Sequence, residues 1–259
     1  MSRFDRRPKL VTIPISHFCE KARWALDRAG VEYDERRHIQ IIHQFAARAA
    51  GGGRTVPVLT CSDGVFSQSG AILRYADTYL AEPERLYPGD AALREEVVSL
   101  ERRFDEGLGV EGRRWLYHEV FKDTKPFVSF NLAGVPGWER AMFPIVLAPA
   151  KVYINRRLEI DPTTAADALK VVQAELDAVG ERLSDGRRYL AGDRFTAADL
   201  AFAALAAPLI VPPEYGTPLP QPGVLPDEMA GRMRAWRDHP AGRFATRMFA
   251  EQRGARANV

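Results

Sequence analysis

The sequence predicts a small mixed α/β domain followed by an all-helical one, and three observations carry that expectation. Residues 9–80 alternate between short β-rich runs and stretches with apolar residues at helical spacing. Beyond about residue 90 the helical spacing continues and no alternating strand pattern returns. Between them lies AEPERLYPGD, whose two prolines and glycine read as a linker. The expected division is therefore 1–82 for the α/β domain, 83–92 for the linker and 93–259 for the helical domain.

The elements follow in order. KLVTIPI is a β-rich run. SHFCEKARWALDRAG then places Phe18, Ala22, Ala25, Leu26 and Ala29 on one helical face, with Glu20, Lys21, Asp27 and Arg28 mostly on the other. Ser16 suits the N-cap and Gly30 the stop. VEYDERRHI is a second strand candidate. A loop with room for a short helix ends in the glycine-rich AAGGGRT and leads into VPVLT, a third strand. SDG signals a turn before VFS, a short fourth strand. SQSGAILRYADTYL closes the unit as a helix carrying Ile72, Tyr75, Ala76, Tyr79 and Leu80 on one face.

In the second half, AALREEVVSLERRFDEGL, ERAMFPIVLAPAKVYINRRLEI and TTAADALKVVQAELDAVGERL read as helices. Thr196 and Asp199 form a capping pair bracketed by Phe195 and Leu200, which marks one helix start sharply. APLIVPPEYGTPLPQPGVLP is proline-rich and expected to be irregular. The chain returns to helix from Asp227, with a break at Pro240 and a frayed end in RGARANV.

Composition narrows the function classes. The 259 residues are 46% hydrophobic and 27% charged, with a formal net charge of +2. That is a globular mixture with acids and bases interleaved, which argues against nucleic acid as a partner. Two cysteines, Cys19 and Cys61, are too few for a disulfide framework and suit a reducing cytoplasm. The basic start, SRFDRRPK, lacks the apolar core of a secretory leader. The longest apolar stretch, LAFAALAAPLIVPP, is broken by Pro208 and too short to span a bilayer, so no membrane association is expected.

Three clusters carry chemistry. Ser16-His17-Phe18-Cys19 sits where a strand meets a helix start, a place of unpaired N–H groups and positive dipole that favours an anion or a thiolate. Thr55-Val56-Pro57-Val58 puts a proline just before a strand, where it removes a ladder donor. Ser67-Gln68-Ser69-Gly70-Ala71-Ile72 opens a helix and offers another anion site. His38 and His43 share no face and have no third partner, so no metal is expected there.

In these clusters the chain resembles the cytosolic glutathione transferases. ISHFCEKARWAL is similar to that superfamily's first-helix motif, VP to the proline of its thioredoxin-like domain, and SQSGAI to its (E/Q)-S-x-A-I segment. YLAGDRFTAADL is similar to its capped helix in the second domain. The resemblance implies a thioredoxin-like domain followed by a helical bundle, a cis Pro57, and glutathione as co-substrate with no metal. It implies that Ser16 faces the glutathione sulfur and that Phe18 lies in the glutathione site. Val56 would pair with the cysteinyl unit, while Gln68 and Ser69 hold the γ-glutamyl end. Arg54 and His43 are candidates for the glycine carboxylate, although Thr55 holds the place where relatives carry a basic residue. A homodimer and an apolar electrophile, met in detoxification, are also implied.

Rival readings stand beside these. Ser16 serves either as cap or as thiolate partner. Cys19, placed like the second cysteine of a glutaredoxin motif, is either a buried thiol or the centre of a glutathionyl oxidoreductase. A relative that binds glutathione without turnover is the other alternative. His17 is either solvated or lines the mouth of the site. Trp115, Tyr117, His118 and Phe121, with Met142 and Phe143, are either electrophile pocket or helical core.

Overall fold

The computed structural model describes residues 7–255. The basic start and the frayed C-terminus expected from sequence fall mostly on residues outside that range. Four strands form one sheet: β1 (Lys9–Thr12), β2 (Asp34–Arg37), β3 (Val58–Cys61) and β4 (Gly64–Ser67), in the spatial order β2-β1-β3-β4. β1 runs parallel to β2, while β1–β3 and β3–β4 are antiparallel. The crossover between β1 and β2 is α1 (His17–Arg28). The loop between β2 and β3 does contain a short helix, α2 (Ile42–Ala49), and α3 (Ser69–Asp77) follows β4.

Side-chain alternation along the strands sets the layers. Leu10 and Leu59 point into the main core with Trp24, Ala25, Ile72 and Leu73 of α1 and α3. Val11 and Val58 point to the opposite face, where Ala47 of α2 covers them. One cross-strand row positions the site: Arg36, Val11, Val58 and Ser67 are in register across all four strands. The segments that leave this row, 13–16, 38–43, 56–57 and 68–69, therefore converge at one end of the sheet.

The rest of the chain is helical, as expected. α4 (Ala91–Phe104), a π-helical turn over Asp105–Gly109 and α5 (Val110–Lys122) form one continuous rod. A short α6 (Val128–Asn131) and a long α7 (Gly137–Leu158) come next, then α8 (Pro162–Arg182), α9 (Ala197–Ile210), α10 (Asp227–Asp238) and α11 (Pro240–Gln252). Every residue of α9 is buried. Its start is set as the sequence indicates: Asp199 accepts from the Thr196 N–H and hydroxyl, each at 2.8 Å, and from the Leu190 N–H at 2.7 Å. Among the described residues no helix is long and apolar enough to cross a membrane.

Two local expectations are corrected. α9 does not stop before its proline but runs through Pro208 to Ile210 and ends on Val211 at φ 42°. More consequentially, the charged face of α1 does not meet solvent. Lys21 is fully buried, donating to Glu101 at 2.8 Å and to both oxygens of Asp105 at 2.8 Å. Arg23 donates to Glu20 at 3.0 Å and to Glu35 at 2.7 Å. α1 is thus enclosed by α3 on one side and by the helical domain on the other, and its polar face is a buried ion-pair seam. Such pairs are tolerated because each buried charge meets an opposite one.

The α6–α7 hairpin reaches back to the sheet. Gln40 and Asn131 exchange two amide hydrogen bonds of 2.8 Å. The buried Glu139 carboxylate accepts from the Ile39 N–H at 2.9 Å and from His38 Nδ1 at 2.6 Å. Ile39, Val135 and Phe143 form a small apolar cluster beneath these contacts.

Candidate functional site

Ser16 caps α1 in extended geometry, at φ −73° and ψ 121°. Its Oγ accepts from the Cys19 N–H at 3.4 Å, long for such a bond. The hydroxyl also hydrogen-bonds toward the Cys19 thiol, which lowers that thiol's pKa against the larger effect of burial. Cys19, one turn in, is 0% exposed, and burial pushes its thiol pKa up, which disfavours the reactive thiolate.

His17 is neither solvated nor at the mouth. It is buried, with Nε2 donating to the Gly109 carbonyl at 2.9 Å. Burial first, then the nearby Arg113 charge, lowers its pKa to about 3, so the ring is neutral near pH 7. Phe18 is half-buried, with its ring centroid 4.6 Å from that of His17.

The Val56–Pro57 peptide is cis, as the resemblance implied. No hydrogen bond among the described residues uses the Val56 N–H or C=O, so this short edge beside β3 is open. The Pro57 carbonyl accepts from the Gln68 N–H at 3.1 Å, which ties the start of α3 to the loop. Gln68 is exposed and sits at φ 76°, ψ 147°, a region that non-glycine residues rarely occupy. Ser69 is buried as the first residue of α3. The N–H groups of Ser69, Gly70 and Ala71 are the unpaired donors every helix start leaves.

His43 and Arg54 both lie at this end of the molecule. Burial lowers the His43 pKa to about 4, with the Ile39 and Arg54 backbones opposing that shift, so His43 is neutral near pH 7. Arg54 is exposed in the loop before Val56 and has no ion-pair partner among the described residues. The sheet row thus brings together Ser16, Val56, Pro57, Gln68 and Ser69.

The helical-domain candidates separate. Trp115 is in the interior, edge-on to Trp236 at 4.9 Å between ring centroids. His118 is half-buried and donates to Glu119 at 3.2 Å. Tyr117 and Phe121 instead line an apolar cavity of about 50 Å³ with Ile15, Gln40, Phe143 and Ile154. Ile15 immediately precedes Ser16, so this cavity abuts the α1 start. Met142 is exposed on the outer face of α7.

Sequence reasoning missed Ile15, Gln40, Asn131, Glu139 and Arg113 around this end. Only Arg113 left a readable signal. No acid lies three or four positions from it in either direction, unlike Arg114, which pairs with Glu111.

Comparison with known proteins agrees with this fold. Residues 10–84 match the glutathione S-transferase N-terminal domain and residues 162–239 the glutathione S-transferase C-terminal domain. All of α4, α5 and the α6–α7 hairpin lie between the two. No match was found among the curated proteins. Among solved structures, a glutathione S-transferase from Rhodospirillum rubrum F11 is 21% identical, with TM-score 0.62 over 95% of this chain and 90% of that one. One from Sinorhizobium meliloti 1021 is 17% identical, with TM-score 0.64 over 96% and 90%. One from Methylobacillus flagellatus KT with glutathione bound is 15% identical, with TM-score 0.57 over 97% and 100%. At these identities the likeness is one of fold. With the two matched segments covering more than half of its residues, the chain belongs to the glutathione S-transferase family.

Proposed function

We propose that this chain is a glutathione transferase. Residues 1–82 hold the thiol, Ser16 stabilises its thiolate, and residues 93–259 present an apolar electrophile. The observation that carries the reading is the convergence at one sheet end of the Ser16 hydroxyl at the start of α1, the open Val56 edge and the free N–H groups of α3. They match a thiolate, a peptide backbone and a carboxylate respectively. Phe18, with His43 and Arg54, completes the proposed glutathione site, Arg54 supplying the standing charge for the glycine carboxylate.

The energetics suffice. A thiol of pKa about 8.5 lowered by about two units needs about 2.7 kcal/mol of preference for the anion. A charge-assisted hydrogen bond supplies about 1.5–3 kcal/mol and a helix start about 0.3–1 kcal/mol. The sulfur then bonds to the electrophilic carbon as the leaving group departs with its electron pair. The apolar cavity beside Ile15 is the proposed electrophile side, and Tyr117 is a better candidate there than Trp115 or His118. The two cysteines are unpaired, which fits a cytoplasmic enzyme, and the family resemblance supports a homodimer.

The rival with Cys19 at its centre is disfavoured by that thiol's burial. The deciding measurement is glutathione titration followed by thiolate absorbance, on wild type, Ser16→Ala and Cys19→Ala. Ionisation that survives Ser16→Ala unchanged removes Ser16 from the reaction. Binding without ionisation in the wild type makes the chain a glutathione-binding relative without turnover.

A further inference from the structure

Among the described residues the most deeply buried cations are paired, and half-buried Arg113 stands apart from them. Lys21 meets Glu101 and Asp105, Arg23 meets Glu20 and Glu35, Arg28 meets Glu84, and Arg253 meets Glu20 and Asp27. Arg113 on α5 meets none. No hydrogen bond or ion pair engages it among the described residues, and its Nε is buried without a partner. Its neighbours make matters worse. Arg114 and Arg157 carry the same sign, and the nearby acid, Glu111, is engaged by Arg114. Burial pulls the Arg113 pKa below its usual value, the mark of a cation without compensation.

Its place in the site is specific. The guanidinium lies over the Phe18 ring, 5.6 Å from the centroid, two residues from Ser16. Its charge bears on His17, and Tyr117 follows one helical turn later, lining the apolar cavity. This cation–π contact leaves the guanidinium donors unfilled. An unpaired, half-buried cation costs stability, and such costs concentrate at ligand sites.

We infer that Arg113 is the docking residue for an anionic group, a carboxylate or sulfonate, on the electrophilic substrate. The preferred substrate is then an apolar electrophile with an acidic tail. This rests on the transferase reading above, in which the two carboxylates of glutathione are met at α3 and at Arg54, on the sheet side of the cleft. Arg113 stands on the helical side, where the second substrate enters. A planar guanidinium favours a planar, bidentate anion.

The test uses a matched pair of unreactive probes, nitrobenzoate and nitrobenzene, titrated calorimetrically into wild type, Arg113→Lys and Arg113→Met. The same variants are assayed for turnover of a chloronitrobenzoate against the uncharged chloronitrobenzene. Wild type is expected to favour the carboxylate probe by about ten- to hundredfold. Arg113→Met should lose that preference while keeping nitrobenzene binding, and Arg113→Lys should restore only part of it. Arg113→Met should also melt at a higher temperature than wild type, since an uncompensated charge is gone; a structural arginine would give the opposite. An unchanged preference in Arg113→Met overturns the inference. So does a loss of glutathione ionisation with the preference intact, which would assign Arg113 to the sulfur. Absence of glutathione binding in wild type would sink the transferase reading alone, because probe binding is read without glutathione.

Discussion

The imidazole of His17 and the carbonyl of Gly109 are joined by a 2.9 Å hydrogen bond that fastens the start of α1 to the π-helical turn of the helical domain. The residue next to the candidate catalytic serine is therefore a structural bolt between the two halves. Burial keeps the ring neutral near pH 7, against the pull of the bond itself toward a protonated ring.

That condition gives stability a pH dependence of known sign. The folded-state pKa of His17 is about 3 and that of His43 about 4, each below the ordinary value of 6.5. Their contribution is complete above pH 6.5 and lost as pH falls through that window, at up to about 1.4 kcal/mol per pH unit for each. Asp199 works the other way, since burial raises its pKa to about 6 and its contribution fades as pH rises toward that value. The His17 part is isolated by comparison with His17→Asn. Urea unfolding between pH 7 and pH 5 should fall less steeply in the variant, and parallel curves would refute the assignment.

Gln68 holds φ 76° and ψ 147°, where a side chain costs about 1–3 kcal/mol. Gln68→Gly should therefore raise stability by about 1 kcal/mol in urea while weakening glutathione binding. A variant both less stable and fully able to bind would show that the conformation serves the fold.

Gly109 has no room for a methyl. A Cβ there would sit 2.7 Å from Phe18 Cζ and 3.1 Å from Leu205 Cδ2. Gly109→Ala should cost about 1–3 kcal/mol and displace the Phe18 ring. Thermal melting and the near-ultraviolet circular dichroism of the aromatic rings should both change.

Gln40 and Asn131 satisfy each other and close the α6–α7 hairpin over the sheet end. Asn131→Leu strips the buried Gln40 amide of both these bonds and should destabilise by about 1–3 kcal/mol. The loss should be concentrated locally, as faster amide exchange in α6 and the 38–42 loop; uniform exchange across the chain would contradict a local latch.

Much of this was readable in the residues. Ser16, Pro57, Gln68 and the Thr196–Asp199 pair are local signatures, fixed by backbone needs within a few positions. The strand-helix alternation of residues 9–80 likewise reports on neighbours alone. What stayed hidden depends on distant partners. Glu20, Lys21 and Arg28 look like a solvated face until Arg253, Glu101, Asp105 and Glu84 arrive from elsewhere in the chain to pair with them. Pro208 reads as a break, yet packing carries α9 through it. The aromatic run Trp115–Phe121 divides by helical phase, Trp115 inward and Tyr117 toward the cavity, and that phase was illegible because it follows an irregular turn.

The π turn at Asp105–Gly109 is where the phase is set. Such a turn holds one residue more than the α-helix around it, and each residue of an α-helix advances the azimuth by about 100°. Everything downstream is thereby rotated relative to α4. Loss of a single codon in this stretch would straighten the rod and swing Arg113 and Tyr117 away from Phe18, without altering any side chain that faces glutathione. On the proposed reading, the choice of second substrate would be separable from thiol chemistry by a single-residue deletion.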